Sequence, residues 1–409
     1  MSKIHAFPAL RPEPAMAAQV SAVPYDVVNV AEARQFSEGN PWSFLRVSRA
    51  ELELADGVNP YADQVYERAR ANFEKLRKDA PLVKEAEPSL YVYRLKMGDH
   101  SQTGICAAFS VDEYEANKIL KHEKTRRDKE DDRTRHITTL RAQTGPVFLA
   151  YRGVAAINSI VDRVTAGAPL FDVTAPDGIA HTIWRVPGEL TGALIQAFEQ
   201  VPQLYIADGH HRAASAARAR TTMRTANPSH TGEEEYNYFL AVVFPAEQLR
   251  IMPYNRVARD LRCSPAEFLD RVRAHFVVQP DGPASPRAKG DFAMYLQGKW
   301  YLLRRLPSAP ARKGPIDTLD VSVLQDELLS PLLGIQDPRT DKRIDFVGGI
   351  RGTAELERRV NSGEMAVAFS LYPVTMDDLF AVADAGEIMP PKSTWFEPKL
   401  RDGFLSHLI

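Results

Sequence analysis

The segment best equipped for chemistry is Leu204–Arg212, which reads LYIADGHHR: an apolar run, then Asp-Gly, then two histidines and an arginine. The apolar run predicts a buried strand, and the Ala-rich sequence after it predicts a helix that begins at once. Free N–H groups at a helix start attract phosphate, Gly209 lets the backbone come close, and Arg212 can hold two oxygens. We therefore predict an anion site, with Asp208 ligating Mg²⁺ or accepting a proton. The alternative is structural: Asp208 caps the helix, and the histidines cover its first turn.

A second segment, Lys121–His136, carries twelve charged residues among sixteen. A run of mixed charge is usually a solvated helix with pairs four residues apart, such as Glu123–Arg127, and such a helix is not buried. The histidines and threonines that interrupt the charges point instead to a lid over a polyphosphate. Glu123 is then the candidate general base, which must lie within hydrogen-bonding distance of a substrate hydroxyl.

Two segments nearer the C-terminus also combine cations with glycines or aromatic residues. Lys342–Gly352, KRIDFVGGIRG, predicts a strand, a glycine turn and a helix, where Arg351 could bind a second phosphate or a carboxylate. A tight turn that needs glycine explains that pattern equally well. Met389–Lys399, MPPKSTWFEPK, could close the site, or Trp395 and Phe396 could anchor the C-terminus to the core. The polar residues that would close the site are Lys392, Ser393, Thr394 and Lys399.

Composition narrows the class of protein. The 409 residues are 44% hydrophobic and 25% charged, as in ordinary folded chains, and 51 basic against 53 acidic residues leave a net charge of -2. A nucleic-acid partner is therefore not expected. Cys106 and Cys263 alone cannot form a disulfide framework, and no apolar run suits a signal peptide or a membrane span. We predict a cytoplasmic protein without a membrane partner and, from its motifs, neither a P-loop kinase nor a serine hydrolase.

The elements that must position these residues alternate between helix and strand. Apolar residues at helical spacing predict a helix over Tyr61–Leu76, and two β-prone runs within 89–110 predict a hairpin. We predict a mixed α+β fold of two lobes. Residues 1–255 form an N-terminal arm and a core lobe, and residues 256–409 form a second α+β lobe whose tail packs back on the cleft.

Six short segments resemble one bacterial family. They are PYDVV at Pro24–Val28, GNPWSFLRV at Gly39–Val47, HEKT at His122–Thr125, ADGHHR at Ala207–Arg212, GGIRG at Gly348–Gly352 and MPPKSTWFEPK at Met389–Lys399. Over nearly the whole chain they are similar to the uncharacterised family called domain of unknown function 1015, which implies an architecture but no reaction. Asp208–Arg212 is also similar to the signatures of the ParB, sulfiredoxin and free-serine-kinase superfamily, whose members bind nucleotide phosphates at that helix start. This second resemblance implies a ParB/sulfiredoxin-like nucleotide-binding core, elaborated by the second lobe.

The resemblance to the free serine kinases implies a phosphotransferase. It would move a phosphate from ATP or ADP, with Mg²⁺, to a small hydroxylated metabolite, of which free L-serine is the best supported. Sulfiredoxin carries its reactive cysteine where this chain has His210, which argues against thiol chemistry. Two alternatives stay open: a phosphatase acting on a small ester such as phosphoserine, and a nucleotide-gated binding protein without turnover. The predicted partners are a nucleotide and a small molecule, with a homodimer left open.

Each candidate residue has a predicted role. The catalytic residues are Glu123, Asp208, His210 and His211, and Asp208 is also the predicted metal ligand. The residues predicted to bind nucleotide or phosphate are Gly209, Arg212, His122, Lys124, Thr125, Arg126 and Arg351. The residues predicted to bind the acceptor are Tyr25, Asp26, Lys392, Ser393 and Thr394.

Overall fold

The protein folds into two compact units. The computed structural model describes residues 2–79 and 82–409. The first unit holds the described residues up to Leu249 together with Pro398–Ile409, the C-terminal segment, and the second unit holds Arg250–Glu397. Both units contain helices and strands, so the predicted mixed α+β class is confirmed. In the described part of the chain, no helix is long and apolar enough to cross a membrane.

The first unit is built on a mixed sheet. Its strands are β1 Ile4–His5, β2 Leu10–Pro12, β3 Leu82–Lys84, β4 Tyr91–Met97, β5 His100–Ser110, β6 Ile119–Leu120, β7 Ala142–Gln143, β8 Val147–Tyr151, β9 Phe171–Thr174, β10 Ala180–Arg185, β11 Leu204–Asp208, β12 Tyr238–Pro245 and, in the C-terminal segment, β21 His407–Leu408. Its helices are α1 Ala17–Val20, α2 Val30–Ser37, α3 Leu45–Ser48, α4 Asp63–Lys78, α5 Val111–Glu115, α6 Arg127–Leu140, α7 Ala155–Thr165, α8 Gly188–Phe198 and α9 His210–Ala226. The main sheet runs in the order β6-β11-β8-β12-β5-β4-β10-β9, with β1 beside β5. β11 is therefore an interior strand, parallel to β6 and antiparallel to β8.

Two clusters of apolar side chains form the core of the first unit. In the cluster at the sheet, Ile206 of β11 packs with Ala213 and Ala217 of α9. The sequence of β11 is a continuous apolar run because this strand is buried on both faces. The small alanine side chains of α9 let the helix lie close to the sheet. The other cluster joins α4 to the N-terminal arm, the described residues before α4, where Phe44 and Phe73 meet edge to face at 6.3 Å.

The helix and the hairpin predicted near the N-terminus are both present. α4 begins at Asp63, so the predicted helix is confirmed except that Tyr61 precedes it. Its buried residues Val65, Ala69, Phe73 and Leu76 recur every three or four positions, and Tyr66 beside Val65 is buried as well. β4 and β5 pair antiparallel from Tyr91↔Cys106 to Met97↔His100, as the hairpin requires.

The second unit has its own antiparallel sheet. Its strands are β13 Ile251–Met252, β14 Tyr254–Ala258, β15 Phe276–Pro280, β16 Asp291–Leu296, β17 Lys299–Arg305, β18 Ile344–Gly348, β19 Val367–Leu371 and β20 Trp395–Phe396. Its helices are α10 Pro265–Arg273, α11 Asp320–Leu324, α12 Ser330–Leu333, α13 Gly352–Asn361 and α14 Met376–Asp384, with a π-helical turn at Gln325–Leu329. The sheet runs in the order β15-β17-β16-β19-β14-β18, while β13 and β20 pair separately. Val257, Leu356 and Ala368 belong to a core cluster of this unit.

Gly104 lies in β5 at a point where the sheet has no room for a side chain. A Cβ atom there would lie 2.7 Å from the Val243 carbonyl oxygen and 2.7 Å from Phe244 Cδ1. Because a strand backbone in the sheet cannot yield easily, Gly104→Ala is expected to lower the free energy of unfolding by about 1–3 kcal/mol in a urea titration. Gly192→Ala in α8 is the matched control, since nothing lies within 4 Å of a Cβ at that position. A Gly104→Ala midpoint equal to that of the wild type would contradict this expectation.

Candidate functional site

The strand, turn and helix predicted at Leu204–Arg212 are present. β11 ends at Asp208, and α9 begins at His210 with Gly209 directly before it. Gly209 has a φ of 88°, in the left-handed region that favours glycine. Within the described residues no side chain caps α9, so the interpretation of Asp208 as a helix cap is wrong. The first-turn N–H groups have no intrahelical partners and keep the capacity to bind an anion.

Arg212 is buried at the start of α9 and already has partners. Its Nη1 donates to the Pro146 carbonyl oxygen at 2.7 Å, and its Nη2 donates to the carboxylate oxygens of Asp26 at 3.0 and 3.2 Å. Burial by itself would lower the pKa of Arg212, but Asp26 and Asp208 raise it above its usual range. The arginine is therefore a fixed cation that ties the N-terminal arm to α9. A bound phosphate would share this cation with Asp26.

Asp208 pairs with the C-terminal segment. Lys399 Nζ donates to Asp208 Oδ2 at 3.2 Å, and 32% of the Asp208 side chain is exposed. Burial raises the pKa of Asp208, but Lys399 and Arg212 outweigh burial and hold this pKa well below its usual range. Asp208 is therefore ionised at neutral pH and can bind a cation or accept a hydrogen bond. Its low pKa makes it a weak base, and its role as proton acceptor stays a prediction. Lys399, predicted to close the site, does reach it.

His122, Glu123 and His210 lie together beside the first turn of α9. The His122 backbone N–H donates to His210 Nε2 at 3.4 Å, and the two rings lie edge to face at 4.5 Å. With Nε2 accepting, the proton of a neutral His210 ring lies on Nδ1, which is 3.7 Å from Glu123 Oε2. Burial lowers the pKa of His122 to about 4 and holds the pKa of His210 well below its usual range. Both rings are therefore neutral at pH 7 and act as hydrogen-bonding groups.

The next residues of the charged segment meet α9 mainly through the backbone. The Arg126 N–H donates to His211 Nε2 at 2.9 Å, and burial lowers the pKa of His211. The Thr125 hydroxyl donates to Glu130, and the Arg126 guanidinium pairs with an acidic residue of its own segment. Lys124 is exposed. The side chains of Lys124, Thr125 and Arg126 are thus not held against the start of α9, and their contact with phosphate stays a prediction.

α6 is not the solvated helix that its charges predict. It begins only at Arg127, so the predicted pair from Glu123 lies outside a continuous helix. Asp132 is buried and accepts from the Tyr66 hydroxyl at 2.8 Å and from Arg133 Nε at 2.8 Å. The expectation of an unburied helix is wrong on this face because the charges there are paired and hydrogen-bonded in the interior.

The acceptor residues predicted in the N-terminal arm lie at the same end of α9. The Tyr25 ring centre lies 4.2 Å from the guanidinium carbon of Arg133 and 5.8 Å from that of Arg212. Burial raises the pKa of Tyr25, so its hydroxyl stays protonated at neutral pH. The fold therefore gathers part of the predicted set around the α9 start: Tyr25, Asp26, His122, Glu123, Asp208, Gly209, His210, His211 and Arg212.

The acceptor residues predicted near the C-terminus belong to the second unit, where they have local contacts. The Ser393 hydroxyl is buried and donates to the Pro390 carbonyl oxygen at 2.6 Å. The Lys392 carbonyl accepts from Arg256 Nη2 at 3.0 Å. Thr394 is half-buried. Their contact with an acceptor remains a prediction.

The glycine turn before α13 has a packing explanation. A Cβ atom on Gly349 would lie 2.7 Å from the Pro253 carbonyl oxygen, and one on Gly348 would lie 2.9 Å from the Trp395 ring. Arg351 directly precedes α13 and is exposed. Trp395 begins β20, which pairs with β13, so this aromatic residue anchors its segment to the second unit. These contacts favour the structural alternative for the turn, and an anion at Arg351 stays a prediction.

Metal ligands are sparse around Asp208. Among the described residues there is no group of three or more His, Cys, Asp or Glu side chains that could hold a metal ion. Mg²⁺ at nucleotide sites commonly takes one or two carboxylates together with phosphate oxygens. Asp208 supplies one carboxylate, so it fits Mg²⁺ only in the company of a nucleotide.

Arg133 and Asp402 also lie at this site, although no local sequence signal points to either. Both line a cavity together with Tyr25 and Arg212. Arg133 stands within a run of charges typical of a surface, and Asp402 stands in an ordinary Asp-Gly turn far along the chain. Only the fold brings them to α9.

The fold and the site define a mixed α+β protein with a polar site where a strand passes through glycine into a helix. The family model described as protein of unknown function (DUF1015) matches residues 4–322. The chain belongs to this family, so the predicted family is confirmed. Four of the six segments lie within the matched residues, whereas Gly348–Gly352 and Met389–Lys399 lie beyond them. No curated protein matches the chain.

Several solved structures are similar to the chain. A conserved hypothetical protein from Pyrococcus furiosus is 17% identical, with a TM-score of 0.36, over 74% of this chain and 95% of that chain. A free serine kinase in complex with AMP is 14% identical, with a TM-score of 0.36, over 73% of this chain and 91% of that chain. SbnI with a C-terminal truncation from Staphylococcus aureus is 12% identical, with a TM-score of 0.37, over 74% of this chain and 87% of that chain.

Proposed function

We propose that the protein is a phosphotransferase that moves a phosphate from ATP or ADP to a small hydroxylated metabolite, with free L-serine as the leading acceptor. The observation that carries the proposal is the convergence of Arg212, an ionised Asp208 and the Glu123–His210 contact on the start of α9. Phosphate transfer needs mainly positioning and charge neutralisation, and these groups can supply both.

In this proposal the phosphates lie at the start of α9. The first-turn N–H groups donate to phosphate oxygens, and the fixed cation Arg212 adds charge that the neutral histidines cannot. His210 and His211 donate ring N–H bonds to oxygens of the transferring group. Mg²⁺ bound with the nucleotide would neutralise phosphate charge, with Asp208 as its protein ligand.

Glu123 is the proposed general base. Its carboxylate lies 3.7 Å from His210 Nδ1 with 43% of the side chain exposed, so an acceptor hydroxyl can reach it. The hydroxyl oxygen attacks the terminal phosphorus, its proton passes to Glu123, and the bond from phosphorus to the bridging oxygen breaks. The products are the phosphate ester and the nucleotide with one phosphate fewer.

The proposal is tested by calorimetric titration of ATP and ADP with Mg²⁺, followed by detection of phosphate transfer to hydroxylated amino acids, including L-serine. Nucleotide binding with phosphoserine formation supports the proposal. Nucleotide binding without transfer supports a nucleotide-gated binding protein. Release of phosphate from phosphoserine without nucleotide supports a phosphatase.

Arg212→Ala is expected to weaken ATP and ADP binding by about 10–100-fold, because charge-assisted hydrogen bonds of this kind contribute roughly 1.5–3 kcal/mol. The same calorimetric titration measures the effect. Arg218→Ala is the matched control, since Arg218 lies in the same helix but pairs with Glu130 at 3.2 Å and is 38% exposed. Wild-type affinity in an Arg212→Ala protein that still melts cooperatively would contradict the proposed site.

A further inference from the structure

A cavity of about 40 Å³ lies beside the start of α9, within the first unit. Its polar lining includes Tyr25 of the N-terminal arm, Arg133 of α6, Arg212 of α9 and Asp402 of the C-terminal segment. The rest of the lining is largely apolar and includes Ile137, Val147, Phe239 and Leu240. A buried water needs roughly 10–15 Å³ of such volume, so the cavity holds about three water-sized groups. This space suits the polar end of a small metabolite and is far too small for a nucleotide.

Asp402 is the exceptional group in this wall. Its side chain is buried, with 2% of the residue exposed, and its Oδ1 has no hydrogen-bond partner among the described residues. Its backbone N–H and carbonyl pair with Ala22, which holds the residue in place. A buried carboxyl oxygen without a donor is costly, so the site is incomplete as it stands.

The cations around Asp402 are already paired with other carboxylates. Arg212 Nη2 lies 3.0 Å from Asp26, and Arg133 Nε lies 2.8 Å from Asp132. Arg401, the third nearby cation, pairs with Asp177. Arg212 Nε also has no hydrogen-bond partner among the described residues, so none of these three side chains supplies the donor that Asp402 Oδ1 lacks.

Burial and the neighbouring charges determine the protonation state of Asp402. The pKa of Asp402 is raised to about 7, chiefly by burial; Asp26 also raises this pKa, while Arg212, Arg133 and Arg401 lower it. Near neutral pH the carboxyl is thus partly protonated. A cationic donor that enters the cavity would favour its ionised form.

Gly145 leaves the space beside Asp402 open. A Cβ atom on Gly145 would lie 3.1 Å from Asp402 Oδ1 and 3.6 Å from Arg212 Cδ. The backbone of Gly145 does not adopt the left-handed region, so what the position offers is room beside the carboxyl and not an unusual turn.

We propose that this cavity is the acceptor pocket and that Asp402 binds a protonated primary amine of the acceptor. The inference rests on the proposed phosphotransferase function and narrows its substrate class to small amino alcohols, a class that includes the hydroxylated amino acids. Hydroxy acids that lack an amine are excluded from this substrate class, because they place a second hydroxyl beside Asp402 where the proposed acceptor has an ammonium group. Arg212 thus borders both the phosphate site and the acceptor pocket.

The test is calorimetric titration of three probes into the full-length protein, with and without saturating ADP. L-serine carries an ammonium and a carboxylate, ethanolamine keeps only the ammonium, and glycerate replaces the ammonium with a hydroxyl. L-serine and ethanolamine are expected to bind, and glycerate is expected to bind at least tenfold more weakly than L-serine. At pH 7, amine binding should also release a fraction of a proton from Asp402, which titrations in two buffers of different ionisation enthalpy detect.

Asp402→Asn is expected to weaken amine binding at least tenfold and to abolish the proton release. Asp320→Asn is the matched control. Asp320 is also a buried carboxyl, burial raises its pKa to about 6, and it lies in the second unit. If Asp402→Asn does not fold, Gly145→Ala serves instead: it keeps the carboxyl, places a methyl group beside it, and should also weaken amine binding at least tenfold.

The proposal is overturned if neither amine binds the wild-type protein with or without ADP, if glycerate binds as tightly as L-serine, or if Asp402→Asn binds the amines normally. Failure of the phosphotransferase proposal looks different. In that case ATP and ADP do not bind, whatever the amines do.

Discussion

Glu123→Gln is expected to lower the rate of phosphate transfer by about 10²–10⁴-fold, the usual contribution of a general base. Glutamine keeps the size of the side chain and its hydrogen bonding but cannot take the hydroxyl proton. Because Arg212, the cation proposed to bind the phosphates, pairs with Asp26, and Glu123 lies beside the neutral His210, nucleotide affinity should stay at the wild-type value. The loss should therefore fall on kcat, measured by steady-state transfer to L-serine, while calorimetry reports unchanged binding of ATP or ADP.

Asp131→Asn is the control for this measurement. Asp131 belongs to the same charged segment, is exposed, and pairs with Arg218 away from the start of α9. Its replacement should leave kcat unchanged. If Glu123→Gln keeps the wild-type rate, Glu123 is not the base, and Asp26 becomes the next carboxylate to replace.

The second large effect concerns stability and pH. Burial raises the pKa of Asp402 to about 7, whereas an aspartate in the unfolded chain has a pKa of about 3.9. Between these two values the folded protein keeps a proton that the unfolded chain releases. The free energy of unfolding therefore falls as pH rises through this window, by about 1.4 kcal/mol per pH unit and roughly 4 kcal/mol in total.

Asp402→Asn removes the titrating group. The difference in free energy of unfolding between this variant and the wild type should grow in favour of the variant by about 4 kcal/mol from pH 4 to pH 8. Urea titrations of the two proteins at several pH values measure it, and the buried histidines cancel because both proteins contain them. Asp131→Asn should show a difference that does not vary with pH to this extent. A constant difference for Asp402→Asn would mean that Asp402 is ionised in the folded protein throughout.

The stability effect and the proposed amine site are connected. An ammonium bound at Asp402 would lower its pKa and offset the cost of burying the carboxylate. L-serine should therefore raise the melting temperature of the wild type more at pH 8 than at pH 5. The same ligand should have little effect on Asp402→Asn at either pH.

Features that depend on neighbouring residues follow directly from the chain. The strand at the apolar LYIA run, the turn at Asp208-Gly209 and the Ala-rich helix can be predicted together because their strand, turn and helix preferences are local. The amphipathic spacing of α4 is predictable for the same reason, since it repeats along one helix face.

The errors of prediction arise where distant residues change the meaning of a local pattern. The charges of α6 predict a solvent-exposed helix. The sequence does not reveal that Tyr66 and Arg133 both donate hydrogen bonds to Asp132 in the interior. The position of Asp208 just before a helix suggests a helix cap, but among the described residues no side chain caps α9, and Asp208 pairs with Lys399 instead. In both cases a partner supplied by the fold decides the charge state and the burial of the group.

Local sequence is enough to predict the fold class, the family and the strand, turn and helix at Leu204–Arg212, because backbone preferences and apolar periodicity act over a few residues. Which charges surround the start of α9 depends on the fold. Asp26 comes from the N-terminal arm, Glu123 from the segment before α6, and Lys399 and Asp402 from the C-terminal segment. Electrostatic interactions and burial depend on distance in space and not along the chain, so the Asp402 cavity has no counterpart in any local motif.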